Sequence, residues 1–302
     1  MFSTILVPLD GSDLARRALP YAAALAKAAH ARLILLHAYI PGRSAPTDDP
    51  ELDVIMEMSD LASDLRLQGI NASTWLVYDE AGPAIEQAVA DLNASLIVMS
   101  THGRGGLSRL LHGSVADYLL RHVSVPVVLV TSHCRPRWLT VSPLTIVVPL
   151  DGTTFAEEAL EPAAHLAKLL EAELVLLRAL PPEEIDDQPV SLNWHEAAGH
   201  LLAEARDALE VVAAPLRATG LQVESRAVVA TPADAIVGVA TDRIPSFVIM
   251  ATHGRGALSR LVLESVSMEA LQQLRAPLLL VRPAPPAAPQ DTELPVAEQV
   301  RA

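Results

Sequence analysis

Lysine is almost missing from this chain. Of 22 basic residues in 302, only Lys27 and Lys168 are lysines. That excludes a phosphate-binding loop built on lysine, and the string GxxxxGK[ST] is absent. Any phosphate site must rely on arginine, backbone N–H groups or hydroxyls. Cysteine is limited to Cys134, which excludes a disulfide framework or a thiolate metal centre within one chain and suits a reducing compartment. Cys134 itself reads as a linker residue. Long apolar runs are missing too: Val125–Val130 and Leu278–Val281 fall far short of the roughly 20 residues a membrane helix needs. The opening MFSTILVPLDGSD has no basic stretch and meets Asp10 and Asp13 at once, so it does not read as a signal peptide. The expectation is a cytoplasmic protein with no membrane partner. A positive balance is also missing, since 36 acidic against 22 basic side chains give a net charge of −14, which disfavours tracking a phosphate backbone and so nucleic acid.

What remains is 51% hydrophobic and 19% charged, enough for two ordinary globular domains and too apolar for a disordered chain. The chain repeats itself. TILVPLDGSDLARRALPYAAALAKAAHARLILLHA returns as TIVVPLDGTTFAEEALEPAAHLAKLLEAELVLLRA, an offset of 141 from Asp10 to Asp151. LIVMSTHGRGGLSRLLHGSVADYLLRHVSVPVVLV returns as FVIMATHGRGALSRLVLESVSMEALQQLRAPLLLV, an offset of 151 from His102 to His253. About ten residues therefore entered the second copy, mostly in Pro181–Trp194, whose prolines and acidic residues read as an exposed loop. The copies are too long for a solenoid repeat. We expect a first domain over 1–134, a boundary near Ser132–Pro143, a second domain over 143–283, and a disordered Pro- and Ala-rich tail over 284–302.

Within each copy short apolar runs alternate with segments of helical period, the pattern of a parallel sheet with crossover helices. In the first copy the strands are expected at Ile5–Pro8, Leu33–His37, Ser73–Val77, Leu96–Met99 and Val127–Val130. They are apolar on both faces, as helices on both sides of a sheet require. One helix is expected from Ser12, its N-cap, to just before Arg32, with Ala15, Ala18, Leu19, Ala22, Leu25 and Ala26 on one face. Five such units point to an α/β, doubly wound sheet, which binds ligands beyond the carboxyl ends of its strands at the topological switch point.

Several residues lie where that point would be. Gly103 follows a strand and lets the chain turn with its N–H groups open to an anion. Gly113 and Ser114 open the next helix, whose N-terminus favours phosphate, with the Ser114 hydroxyl as a further donor. Asp10 ends the first strand, and Asp10-Gly11 is also ordinary turn chemistry. The paired blocks resemble the universal stress protein (UspA-like) family over nearly the whole chain except the tail. That family's nucleotide signature is Gly, two residues, Gly, nine residues, Gly, then Ser or Thr. The first copy reads Ser100-Thr-His-Gly103, nine residues, Gly113-Ser114, with one glycine replaced. The second reads Ala251-Thr-His-Gly254, nine residues, Glu264-Ser265, with two replaced.

The resemblance implies two flavodoxin-like (adenine nucleotide alpha hydrolase-like) domains, each a five-stranded parallel sheet of order 3-2-1-4-5. It also implies ATP or a related adenine nucleotide, with any magnesium carried by the phosphates. Asp10 would then accept from ribose hydroxyls, and Pro8, Leu9, Ala38 and Met99 would border the adenine. Ser100, His102, Gly103, Arg104, Gly113, Ser114 and Val115 would complete the first site, with Arg109 also within reach of phosphate. The repeat carries a second, weaker site to Pro149, Leu150, Asp151, Ala179, Met250, Gly254, Arg255 and Ser265.

Ser100 in place of glycine is a small change, its hydroxyl serving a phosphate or simply the backbone. Glu264 is a larger one. At a helix N-terminus its carboxylate would repel phosphate by roughly 4 kcal/mol at about 4 Å and an effective dielectric near 20, while stabilising its own helix by about 0.3–1 kcal/mol. We therefore expect a degenerate second site with Glu264 standing in for the anion. His102 and His253 are expected to fix their loops, since no acid or nucleophile recurs beside them. The histidines form no HxxxH or HExxH pair, so no protein metal site is expected.

The final strands, VPVVLV and APLLLV, are apolar edges that need a partner. Relatives of this kind pair through that strand, which implies pairing of the two copies within the chain, with a homodimer as a further possibility. The leading expectation is a stress-response binding protein, at most a weak ATPase. A nucleotide-free protein acting through loops such as Pro41–Pro50 and Pro181–Trp194 is the alternative, and an adenylyl-transferring or electron-transfer flavoprotein is a distant third.

Overall fold

Ten strands form one sheet, whose inner strands are apolar runs covered by helices on both faces. The expected strand Ser73–Val77 is not apolar on both faces, because it lies at the sheet's edge with Thr74, Trp75 and Leu76 exposed. The computed structural model describes residues 1–40, 50–101, 114–134, 143–186, 193–243, 245–252 and 260–282, with side chains for all of these except 50, 51 and 260–265. The first copy runs β1 (Thr4–Pro8), α1 (Asp13–Arg16), α2 (Leu19–Ala29), β2 (Arg32–Ala38), α3 (Pro50–Leu67), β3 (Asn71–Val77), α4 (Ala81–Asp91), β4 (Leu96–Thr101), α5 (Ser114–His122) and β5 (Val127–Thr131). The second runs β6 (Thr145–Pro149), α6 (Thr154–Glu157), α7 (Leu160–Leu170), β7 (Glu173–Leu180), α8 (Pro182–Asp186), α9 (Trp194–Ala218), β8 (Val223–Val229), α10 (Pro232–Asp242), β9 (Ser246–Ala251), α11 (Arg260–Gln273) and β10 (Leu278–Val281).

The strand order is β3-β2-β1-β4-β5-β10-β9-β6-β7-β8. Each half therefore has the order 3-2-1-4-5, all parallel within itself, as expected of a doubly wound fold. The halves meet where β5 and β10 run antiparallel, with Leu129 opposite Leu278, Val128 opposite Leu279 and Val127 opposite Leu280. The apolar core on each face of the sheet runs through both halves. One face carries Ile5, Val7 and Leu33, continues through Val128 and Val130, and reaches Ile146, Val148, Phe247 and Leu279. The other carries Leu6, Ile34, Ile97 and Leu129 together with Val147, Val248 and Leu278.

Three other local expectations need correction. The single first helix is two helices, α1 and α2, with α2 opening on Leu19-Pro20. Pro20 has no N–H to give the carbonyl of Arg16 and its ring crowds that carbonyl, so the helix breaks there. Pro162 divides α6 from α7 in the same way. Ser12 is the N-cap as expected, its side chain accepting from Ala15 N–H. The stretch Pro181–Trp194 is not all exposed loop, since Pro182–Asp186 forms α8 with Ile185 buried. Cys134 is not a loose linker residue: it is buried in the core, its sulfur accepting from the Thr131 N–H at 3.3 Å. The 284–302 tail and most of Pro41–Pro50 lie outside the described residues.

Candidate functional site

The site is built at the carboxyl ends of the inner strands. In both copies β1 or β6 ends in Pro-Leu-Asp-Gly. The leucine N–H continues the ladder, Leu9 to the Leu36 carbonyl and Leu150 to the Leu177 carbonyl, each at 2.8 Å. The aspartate then turns the chain. Asp10 Oδ1 accepts from Ser12 N–H at 3.0 Å and from its hydroxyl at 2.6 Å. Asp151 Oδ1 accepts from Thr153 N–H at 2.9 Å and from its hydroxyl at 2.5 Å. The turn requires the glycine, because Gly11 and Gly152 have φ +80° and +86°. Ser12 and Thr153 in turn accept from Ala15 and Ala156 N–H groups, capping α1 and α6. The carboxylate is thereby held by one oxygen. Among the described residues the other, Oδ2, has no hydrogen-bond partner in either copy, and both aspartates are exposed. An oriented, open carboxylate oxygen is what a ligand hydroxyl needs.

In the second copy this aspartate borders a cavity of about 140 Å³. Five of the expected residues, Pro149, Leu150, Asp151, Ala179 and Met250, line it together. Pro232, Ile236 and Val266 supply further apolar wall, and Arg178 and Glu184 supply charge. Its shape is that of a mostly apolar slot with a few polar groups at the rim, the usual form of a small-molecule site.

The first copy places its matching residues at the same strand ends. Leu9 and Met99 are buried, and Ala38 and Val115 pack against the core face that carries Met99. Ser114 opens α5 and is exposed. Ser100 is engaged within the protein, its hydroxyl donating to the Ala15 carbonyl at 3.3 Å. Arg16 lies beside the Asp10 turn and is engaged within the protein, donating to Asp13, to the Gly11 carbonyl and to Glu57 of α3. His102, Gly103, Arg104, Arg109, Gly113, His253, Gly254 and Arg255 lie outside the described residues, and Ser265 lies in α11 with its side chain outside them.

Glu264 needs a correction. Helix α11 begins at Arg260, so Glu264 is in its second turn rather than at its N-terminus, and the end-of-helix charge argument falls off with that distance. Arg178, Glu184, Pro232, Ile236 and Val266 were not foreseen from the sequence. The one signal for them was the repeat itself, where LLHA in the first copy becomes LLRA in the second and sets Arg178 against His37. Among the described residues no group of three His, Cys, Asp or Glu side chains is placed to hold a metal ion, and no helix is long and apolar enough to cross a membrane.

Comparison with known proteins gives a consistent result. The sequence profile of the universal stress protein family matches twice, over residues 1–131 and 144–282. A universal stress protein of Mycobacterium tuberculosis is 26% identical over 267 residues, covering 86% of this chain and 80% of the relative. One from Thermus aquaticus is 36% identical over 136 residues, 43% of this chain and 99% of the relative. The crystal structure of a universal stress protein from Archaeoglobus fulgidus has the same fold, with a TM-score of 0.65 at 20% identity over 92% of this chain and 98% of that one.

Proposed function

The chain belongs to the universal stress protein family in both its halves, and from that premise we propose that it binds an adenine nucleotide at the carboxyl ends of its strands and acts as a cytoplasmic stress-response regulator. The observation that carries this reading is the convergence of Pro149, Leu150, Asp151, Ala179 and Met250 on one cavity, beside an aspartate whose Oδ1 is held by its own turn and whose Oδ2 is open. The first copy repeats the turn atom for atom. In this reading the base lies among the apolar residues and the ribose hydroxyls donate to Asp10 or Asp151. The first domain, 1–134, holds the 5′-phosphates of ATP more firmly, because its sequence keeps Gly113 where the second, 143–283, has Glu264, and the Ser100 hydroxyl where the second has Ala251. In this reading the chain acts as its own two-domain dimer, which the antiparallel β5–β10 pair supports. The protein's task is binding and signalling rather than turnover, since nothing in its motifs resembles a positioned general base or a lysine over the phosphates.

The test is to denature the purified protein, quantify the released adenine nucleotide, and then titrate ATP into nucleotide-free protein and into Asp10→Ala and Asp151→Ala. The reading expects binding that Asp10→Ala weakens most. Absence of both released nucleotide and ATP binding overturns it, and steady ATP hydrolysis abolished by Asp10→Ala overturns the binding-only part. A second reading, a nucleotide-free protein that works through protein contacts, draws on the outer strand β3, where Trp75 and Leu76 are exposed with Tyr78 just past its end. A failed ATP titration would favour it.

A further inference from the structure

The two copies differ at one position beside the aspartate turn of the site. In the first copy His37 is buried, with Nδ1 at 2.8 Å from the Leu9 carbonyl, so its ring belongs to the interior. The repeat replaces it with Arg178, which is half-buried and lines the cavity alongside Asp151. Its guanidinium extends over the turn that follows Asp151, since a Cβ built on Gly152 would lie 3.9 Å from Arg178 Nη1. Among the described residues Arg178 has no ion pair and no side-chain hydrogen bond, whereas Arg16, near the first-copy turn, has three different acceptors. A cavity-lining guanidinium with its donors unengaged is a site for a planar or tetrahedral oxyanion, which it can grip with two N–H groups at once.

We propose that Arg178 makes the second cavity selective for an adenosine that carries phosphate on its ribose 2′ or 3′ oxygen. This rests on the adenine-nucleotide reading of the site and adds its ligand class. One ribose oxygen, left as a hydroxyl, donates to Asp151 Oδ2. The neighbouring oxygen, phosphorylated, places its charge on Arg178 over the Gly152 turn. Acid and arginine at adjacent positions around a ribose discriminate in this way in dinucleotide-binding folds, where an arginine accommodates a 2′-phosphate that a carboxylate alone would repel. Glu184 lines the same cavity, so the site is no general positive patch. An anion is accepted only where the guanidinium fork reaches it, which is selection by geometry rather than by net charge. The first site has His37 at this position with its Nδ1 committed to the Leu9 carbonyl, and offers no such grip.

The experiment uses the full chain with Asp10→Ala to weaken the first site, and a matched Asp10→Ala/Asp151→Ala protein to subtract what that site still binds. Adenosine 2′-, 3′- and 5′-monophosphates and inorganic phosphate are titrated calorimetrically. We expect the 2′- or the 3′-phosphate to bind at least about tenfold more tightly than the 5′-phosphate, the scale of a hydrogen-bonded charge pair. Arg178→His, which installs the first-copy residue, should bring that ratio to about one, and Arg178→Lys, which keeps charge but loses the fork, should leave an intermediate ratio. Circular dichroism checks that each variant is folded. Equal affinities in the Asp10→Ala protein, or a preference that survives Arg178→His, overturn the selectivity while leaving the nucleotide reading intact. Failure of every adenosine phosphate to bind overturns nucleotide binding at this site and the selectivity with it, and binding of inorganic phosphate as tight as the nucleotides shows an anion site without base recognition.

Discussion

Asp10 has two separable tasks, because its two oxygens face different partners. Oδ1 closes the turn through Ser12, and Oδ2 is the proposed ribose acceptor. Asp10→Asn keeps an acceptor for the turn but puts an NH₂ donor where the second acceptor stood. It should hold the melting temperature near that of the parent and weaken adenosine binding about tenfold. Asp10→Ala should weaken binding as much and also cost about 1–2 kcal/mol of stability through the lost turn bonds. Thermal unfolding and titration of the two variants check this, and an Asp10→Asn protein that binds like the parent removes the carboxylate from the ribose contact. The aspartate was legible in the sequence because it recurs in both copies. Arg178 was not, since a residue that differs between copies looks like drift until its guanidinium is seen over the cavity rim.

Cys134 gives the opposite lesson, for a lone cysteine just beyond β5 carries no periodicity that would mark it as core. Burial pushes its thiol above the ordinary range, and burial pushes the Tyr21 hydroxyl up in the same way. The unfolded chain begins to lose the thiol proton near its ordinary pKa of about 8.5 and the phenol proton near about 10, while the folded chain keeps both. The folded state then binds more protons, so stability falls as pH rises from about 8.5 toward the raised folded values. The denaturant midpoint should therefore drop between about pH 8 and 10, and Cys134→Ala should remove the lower part of that drop. A midpoint flat over this range in the parent would show that burial does not hold the thiol proton.

Among the elements, strands and the Ser12 cap were readable, and helix continuity was not. The alternation of apolar runs sets the strands, and Ser12 and Thr153 announce their helices because a side-chain acceptor at that place satisfies an N–H that nothing else can reach. The apolar face from Ala15 to Ala26, by contrast, runs on through a break that only Pro20 signals, since periodicity reports the buried face and is blind to one missing N–H. Ser12→Ala and Thr153→Ala should each cost about 1 kcal/mol. The caps sit in different halves and share no partner, so the double variant should cost the sum, about 2 kcal/mol. Chemical denaturation of the three variants measures this, and a double variant no worse than either single one would mean that the turns are coupled across the sheet.

At the scale of the molecule, the order 3-2-1-4-5 in each half sets the strands buried on both faces at the centre and the part-exposed β3 and β8 at the two edges. The antiparallel sense of the β5–β10 pair has no local signature, because VPVVLV and APLLLV are apolar in either direction and only the symmetry between the halves decides. Its consequence is energetic. Leu279 lies opposite Val128 of the other half, and both are fully buried in one core that also holds Ile5 and Ile146. Polar ties reinforce it: Arg282, just past β10, donates to the Val123 carbonyl at 2.5 Å and to the Leu120 carbonyl at the end of α5, and Thr131 donates to the Leu274 carbonyl at 3.4 Å. The halves should then unfold as one cooperative unit. Leu279→Ala leaves a cavity in that shared core and should cost about 2–5 kcal/mol. Because the core is continuous, the cost should appear equally in β7 of its own half and in β2 of the other. Amide hydrogen exchange followed on both strands reads this directly. Equal loss of protection makes the ten-stranded sheet a single folding unit, whereas loss confined to β7 would mean two domains that merely touch, and would remove the structural basis for any coupling between the two sites.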